Sequence, residues 1–330
     1  MILLKVQSLK IELIKLYFVK VLLNFFNLKL YLILMKKAGL ILGSLFLIVL
    51  IFFGFIVGSE SLKVTMAPTY NPDTMELNYE VIGSGPKNII LIHGLAGSIN
   101  YWMKDLEKIV PNHKLLLIDL LGFGDSPKPN SNYSLDIQLA AIEKVIQKES
   151  FNKGQTIILG HSLGAIISLS LFAKHPNWFE GAAVIGLPIV TSKKQFINDI
   201  GSFSNFNRLA VSSYGKLFCK LHPLYTLKWF KPENLTATVF SDSKKHTWQS
   251  FYYSLNDIIL KTNLYLKTMN IKDKKILFIQ GEKDKTAPFK YVKKFSKTFK
   301  NAKLIEVKDG DHQLFLKNSQ QVWDLINENF

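Results

Sequence analysis

The sequence predicts an α/β domain, a mostly parallel sheet flanked by helices, preceded by an N-terminal transmembrane helix. Three observations carry that expectation. Short runs of Ile, Leu, Val and Phe recur between residues 88 and 307, each followed by a turn signal or a helical pattern, which is how buried parallel strands read. One of them, Thr156 to Leu159, enters a small-residue turn, Gly160-His161-Ser162-Leu163-Gly164, and then a helical segment, Ala165 to Lys174. Far upstream, Ala38 to Gly58 runs for 21 residues without a charge.

That apolar run spans roughly 30 Å as a helix, about one bilayer core. It is longer than the apolar region of a cleaved signal peptide, roughly 7–15 residues. Residues 35–59 therefore read as a signal-anchor. Lys36 and Lys37 flank its N-terminal side, and only Glu60 and then Lys63 flank the other. The positive-inside rule keeps the N-terminus in the cytoplasm and sets the domain on the outer, periplasmic or extracellular, face. Val57-Gly58-Ser59 is a small-residue cleavage site, so secretion is the alternative. Within residues 1–34, Lys5, Lys10, Lys15 and Lys20 interrupt an apolar run at a spacing that drifts around a helix and makes no clean stripe. Met35 followed by two lysines and the apolar run is an ordinary signal-anchor start, so the extension is expected to be a start-site miscall. An interfacial helix on anionic lipid is the other reading. Residues 60–73, with Pro68 and Pro72, read as a tether.

The domain then divides into a first core part, 74–187, an inserted segment, 188–272, and a second core part, 273–330. Asn88 to Ile92 reads as a strand ending in His93-Gly94-Leu95-Ala96-Gly97. Lys114 to Ile118 reads as the next, followed by Asp119-Leu120-Leu121-Gly122-Phe123-Gly124-Asp125-Ser126. After the strand Ala182 to Ile185, about 90 residues pass before the strand Lys275 to Gln280. A plain connection takes 2–6 residues. The last strand is Lys303 to Val307, and Gly310-Asp311-His312 follows it.

A strand, a tight turn and a helix form the context in which Gly-x-Ser-x-Gly carries chemistry. Small residues on either side let the turn pack closely. They hold the Ser162 hydroxyl at a helix N-terminus, where free N–H groups favour negative charge. A serine hydroxyl needs a base, and the base needs an orienting carboxylate. Without such partners Ser162 is a turn serine. Asp284 follows the strand Lys275 to Gln280, where an acid sits in an open sheet. His312 is the base expected among seven histidines. Asp273, Glu282, Asp309 and Asp311 compete with Asp284 as flanking or neighbouring acids. His161 points away on such a turn and reads as packing. His93 reads as a brace for its own loop. His175, before Pro176, reads as a helix-end residue, and His113, His222 and His246 as surface or helix-cap residues. Asp119 and Gly124 read as loop-shaping, and Asp125 and Ser126 as exposed.

These pieces, His93-Gly94, Asp119-x-x-Gly122-x-Gly124-x-Ser126, Gly160 to Gly164, Gly281-x-x-Asp284 and Gly310-Asp311-His312, resemble the α/β-hydrolase fold superfamily of the serine esterase and lipase type. They are collinear with that family from about Glu76 to the C-terminus. The resemblance implies a mostly parallel eight-stranded sheet with a helical cap inserted after strand 6. It implies hydrolysis of a carboxylic ester through an acyl-enzyme, with catalytic Ser162, Asp284 and His312, and no metal or cofactor. The backbone N–H groups of Leu95 and Leu163 are the expected oxyanion hole, supported by His93, Gly94, Gly160 and Gly164. Dehalogenases and epoxide hydrolases of this fold place Asp at the turn, where this chain has Ser162. A carbon–carbon bond hydrolase or an acyltransferase uses the same three residues and stays open. A membrane-tethered binding protein that keeps only the fold is the non-enzymatic alternative.

The inserted segment is rich in aromatics: Phe196, Phe203, Phe206, Tyr214, Phe218, Tyr225, Trp229, Phe230, Phe240, Trp248, Phe251, Tyr252 and Tyr253. Most are expected to pack the cap, and a subset to line an apolar acyl pocket suited to an acylglycerol or a short lipid ester. The net charge is +16, with +5 of it in residues 1–60. Arg208 is the lone arginine and no nucleic-acid module is present, so no nucleic-acid partner is expected. The lysine pairs read as solvated faces with a weak attraction to anionic membrane. Cys219 is the single cysteine, which rules out an intrachain disulfide. N-terminal sequencing of the native protein tests the expected start at Met35, and a peptide from within residues 5–30 contradicts it.

Overall fold

The structure, a computed structural model, describes residues 2–153, 155–200, 205–225, 227 and 231–330. It divides into two units, Met1–Phe55 and Ile56–Phe330. The first is part of helix α1, which runs from Ile2 to Met66. No proline occurs before Pro68 to interrupt it. Its 65 residues amount to roughly three bilayer cores at 1.5 Å per residue, so only a part can be a span. Leu40, Leu42, Phe46 and Phe55 are all exposed. Among the described residues this is the one helix long and apolar enough to cross a membrane.

The second unit is built on a seven-stranded sheet in the order β1-β3-β2-β4-β5-β6-β7. The strands are β1 (Tyr79–Ile82), β2 (Lys87–Ile92), β3 (His113–Ile118), β4 (Thr156–His161), β5 (Gly181–Ile185), β6 (Lys275–Gly281) and β7 (Asn301–Val307). Only β1 is antiparallel, to β3. Adjacent strand residues face opposite sides and both are buried: Ile90 and Ile92 belong to one apolar cluster, Ile89 and Leu91 to the other. That explains the unbroken apolar runs. One face is covered by α2 (Leu135–Lys148), α3 (Leu163–Lys174) and the helix Phe289–Ser296, the other by the short helix Ile99–Trp102 and the C-terminal helix Leu314–Asn329.

Two expectations are corrected. The sheet has seven described strands rather than eight, and the cap follows the fifth, β5, rather than a sixth. The physical reason lies before β1. Helix α1 continues to Met66, where Pro68 disfavours helix for the residue ahead of it. The stretch that follows carries Pro68 and Pro72, which cannot donate to a ladder. It forms only an isolated bridge, Thr69 to Asn130. The expected tether is likewise no free linker. Residues 60–66 are helical. Beyond them, Asn130 N–H donates to Pro68 O at 2.9 Å, Lys144 pairs with Asp73 at 3.0 Å and Lys148 with Glu76 at 2.6 Å.

The cap breaks into short helical pieces, among them Asn205–Ala210, Gly215–Lys220, His222–Tyr225, Ala237–Asp242 and Trp248–Tyr253. Phe206, Phe218, Tyr252 and Tyr253 pack against the main core, while Tyr214 is exposed. Phe203, Trp229 and Phe230 lie outside the described residues.

The packing of α3 against β4 and the end of β2 depends on two missing side chains. A Cβ on Gly160 would lie 2.3 Å from the Gly164 carbonyl oxygen, and one on Gly164 would lie 2.2 Å from the Ile92 oxygen. Gly164→Ala is expected to cost about 1–3 kcal/mol of stability, as overpacking in a dense core does. Urea denaturation checks this, and an unchanged midpoint contradicts it.

Candidate active site

Ser162 sits between β4 and α3 with φ 53° and ψ −115°, and its N–H donates to Ile185 O at 2.9 Å. The left-handed backbone turns the side chain out of the sheet edge. Such a conformation costs about 1–3 kcal/mol for a residue with a Cβ and persists only where its surroundings over-determine it.

His312 lies on the loop between β7 and the C-terminal helix. Its Nε2 is 2.9 Å from Ser162 Oγ and its Nδ1 is 2.9 Å from Asp284 Oδ2. Asp284 is buried on the loop after β6. Its Oδ1 accepts from Thr286 N–H at 2.9 Å and Ala287 N–H at 2.7 Å, and its Oδ2 accepts from Gln280 Nε2 at 2.9 Å. Asp284 can only accept, so Nδ1 of His312 carries the proton. Nε2 then presents its lone pair to the serine hydroxyl. The structure thus joins Ser162, His312 and Asp284 in one hydrogen-bonded line. Three of the rival acids are engaged elsewhere: Glu282 accepts from Asp309 N–H, Asp309 pairs with Lys283, and Asp311 pairs with Lys317.

The supporting loop is braced from below. His93 Nδ1–H donates to Gly94 O at 2.7 Å, and Nε2 accepts from Leu120 N–H at 3.0 Å. Asp119 accepts from Ile99 N–H at 2.7 Å, Asp125 N–H at 2.8 Å and Asn78 Nδ2 at 2.8 Å. Ser126 donates to Asp119 O and is buried, contrary to the exposed position expected of it. A Cβ on Gly124 would fall 2.2 Å from the Asp119 carboxylate, so this loop closes around a buried acid. Leu95 lines the cavity above Ser162, and Leu163 is the first residue of α3.

Three features escaped the sequence reading. His161 does more than pack: its Nε2–H donates to the main-chain oxygen of His312 at 2.8 Å, and its ring stacks on Tyr101 at 4.5 Å. It therefore steadies the backbone that carries His312. Asp242, from the cap, accepts from Ser98 Oγ at 2.7 Å and Asn100 Nδ2 at 2.6 Å, just beyond the Gly94–Gly97 loop. His113, His222 and His246 are buried rather than at the surface. No local pattern marks the partners of His161 and Asp242, because each is chosen across a long sequence separation.

A cavity of about 260 Å³ lies over Ser162 and His312. Its far wall is apolar: Phe196, Leu235, Val239, Phe251, Leu255 and Ile259. Phe196 and Phe251 are thus the pocket members of the aromatic set, and the aliphatic members were not anticipated.

The family model for the alpha/beta hydrolase fold matches residues 87–319. The chain belongs to the α/β-hydrolase fold family. It is 28% identical over 269 residues to a protein named probable lysophospholipase BODYGUARD 5 of Arabidopsis thaliana, covering 72% of this chain and 60% of that one. The chain thus spans less than two thirds of that relative's length. It is 25% identical over 267 residues to the AB hydrolase superfamily protein YisY of Bacillus subtilis, covering 75% of this chain and 92% of that one. The solved structure of the esterase EaEST from Exiguobacterium antarcticum superposes with a TM-score of 0.62 at 17% identity, over 79% of this chain and 98% of that one.

Burial drives His161 well below the ordinary histidine value, with the neighbouring His312 adding to the effect, and burial also lowers His93 and His113. Burial and the adjacent His222 bring His246 down to about 3. Unfolding releases these imidazoles to water, where they take up protons as pH falls through about 6.5. The unfolded chain then binds more protons than the folded one, so stability is full above that pH and falls below it. Urea midpoints measured from pH 8 to pH 5 are expected to drop on the acid side. His246→Phe is expected to flatten that slope, and an equal slope in the variant contradicts the assignment.

Proposed function

We propose that this hydrolase cleaves carboxylic esters with an apolar acyl group through an acyl-enzyme. The observation that carries the reading is the continuous line from Asp284 through His312 to Ser162, ending beneath an apolar cavity. Ser162 Oγ attacks the ester carbonyl while His312 Nε2 takes its proton. Asp284 holds the imidazole in the required tautomer and stabilises its charged form. The N–H groups of Leu95 and Leu163 receive the oxyanion, each such donor contributing about 3 kcal/mol in the transition state. His312 passes the proton to the leaving alcohol. It then activates a water molecule that releases the acid and restores Ser162.

The cavity wall supports an acyl chain rather than a charged group, since among the described residues that line it there is no Lys, Arg, Asp or Glu. The printed name of the Arabidopsis relative, a probable lysophospholipase, fits an ester carrying one such chain. A monoacyl lipid ester is therefore the substrate class we favour. The apolar part of α1 supports a single-pass anchor. Lys36 and Lys37 on its N-terminal side argue for a domain on the outer face.

Ser162→Ala is expected to reduce p-nitrophenyl ester turnover by about 10⁴-fold or more. Asp284→Asn, which leaves the imidazole in the wrong tautomer, is expected to cost about 10³–10⁴-fold. Both are expected to keep the wild-type circular dichroism spectrum. Turnover near wild type in either variant refutes the mechanism.

A further inference from the structure

Helix α1 does not end where its apolar run ends. Residues from Ile56 onward belong to the hydrolase unit. Ile56, Glu60 and Val64, spaced four apart, form one helix face, and they are 9%, 2% and 6% exposed. Phe55, Leu62 and Met66, on other faces, are 73%, 57% and 75% exposed. Val64 joins the main core cluster. The middle member of this buried stripe is a carboxylate.

A buried carboxylate is costly unless it is paired. Glu60 Oε1 lies 2.5 Å from Lys63 Nζ, and Oε2 lies 3.6 Å from Nδ1 of His222 in the cap. Lys63 alone does not account for the burial. An i, i+3 pair forms equally well on an exposed helix face, and the Lys63 side chain is itself 67% exposed. What distinguishes Glu60 is that its second oxygen also faces the cap histidine, at 3.6 Å a close polar contact rather than a hydrogen bond. From His222 the contacts continue inward. Its ring lies 4.7 Å from that of His246. His246 Nδ1–H donates to Ser243 O at 2.6 Å, and its ring packs on Phe251 at 5.2 Å. Ser243 and Phe251 both line the cavity over Ser162. A continuous series of contacts therefore joins the last turns of α1 to the acyl wall.

We propose that Glu60 is a positioning residue that, through His222, holds the cap against α1 and so sets the shape of the acyl pocket. The use of the pocket rests on the ester-hydrolase reading; the latch itself does not. A consequence is that a soluble domain begun at residue 67 lacks the element that fixes its cap.

The test uses the full chain in detergent micelles, with Glu60→Ala, Glu60→Gln, His222→Phe, the Glu60→Ala/His222→Phe double variant, and Lys63→Ala as a control. Hydrogen–deuterium exchange is followed in peptides from 215–225 and 237–253 of the cap and from β4 and β6 of the sheet. In Glu60→Ala the cap peptides are expected to exchange at least about fivefold faster while the sheet peptides hold, as a local opening does. Glu60→Gln, which keeps the shape, is expected to fall between, and Lys63→Ala to stay near wild type. On p-nitrophenyl octanoate, KM is expected to rise at least about fivefold, with kcat on the acetate within about twofold. The double variant is expected to be no worse than the stronger single, as coupled residues behave. Unchanged cap exchange in Glu60→Ala overturns the latch. Equal acceleration in sheet and cap also overturns it, by marking general destabilisation. If wild type turns over neither ester, the ester-hydrolase reading fails, and the exchange result still decides the latch.

Discussion

Ser162 is held in a backbone conformation that a residue with a Cβ adopts only under constraint, and the rest of the site is arranged around that constraint. The constraint is steric. α3 lies so close to β4 at Gly160, and to the end of β2 at Gly164, that neither glycine has room for a methyl group. The Ser162 N–H is pinned to Ile185 of the neighbouring strand. The result is a hydroxyl that projects beyond the C-terminal ends of the parallel strands, where loops from β2, β6 and β7 converge. His312 and Asp284 need only be delivered to that point by loops after adjacent strands, β6 and β7, whose register is fixed over seven residue pairs.

Delivery alone does not orient an imidazole. Asp284 takes hydrogen bonds from two backbone amides and a glutamine on top of the one from His312. It is therefore immobile, and it leaves His312 one tautomer. His161 fixes the other side of the same loop by donating to the His312 carbonyl. The residue next to Ser162 thus steadies His312, which ties the turn after β4 and the histidine loop into one unit. The cap adds a second tie. Asp242 binds Ser98 and Asn100, just past the loop that supplies Leu95.

Much of this was legible in the chain. The strands at 88–92, 114–118, 156–159, 182–185, 275–280 and 303–307 read as apolar runs because both faces of a parallel sheet are covered, and the turns after them carry Gly, Asp and His at positions whose chemistry is specific. Ser162, Asp284 and His312 could be named because they punctuate strand ends in a fixed order. What was illegible depends on tertiary context. β1 is four residues on an edge and leaves little periodic signal. The segment 60–66 reads as part of a tether because Pro68 and Pro72 follow it, and only the structure shows that the helix continues to Met66 with Glu60 and Val64 buried. The partners of His161 and Asp242 lie up to 151 residues away, and polar side chains carry no local mark of such a choice. The aliphatic pocket wall was missed because Leu235, Val239, Leu255 and Ile259 are indistinguishable in sequence from ordinary core residues.

The central claim is that the geometry around Ser162 makes its hydroxyl nucleophilic, and covalent capture tests that most directly. The full chain is treated with a fluorophosphonate, digested, and read by mass spectrometry. A phosphonyl adduct on the peptide carrying Ser162, formed in wild type and lost in His312→Ala, is the result this account predicts. Absence of the adduct in the folded wild-type protein, or equal labelling without His312, would contradict it.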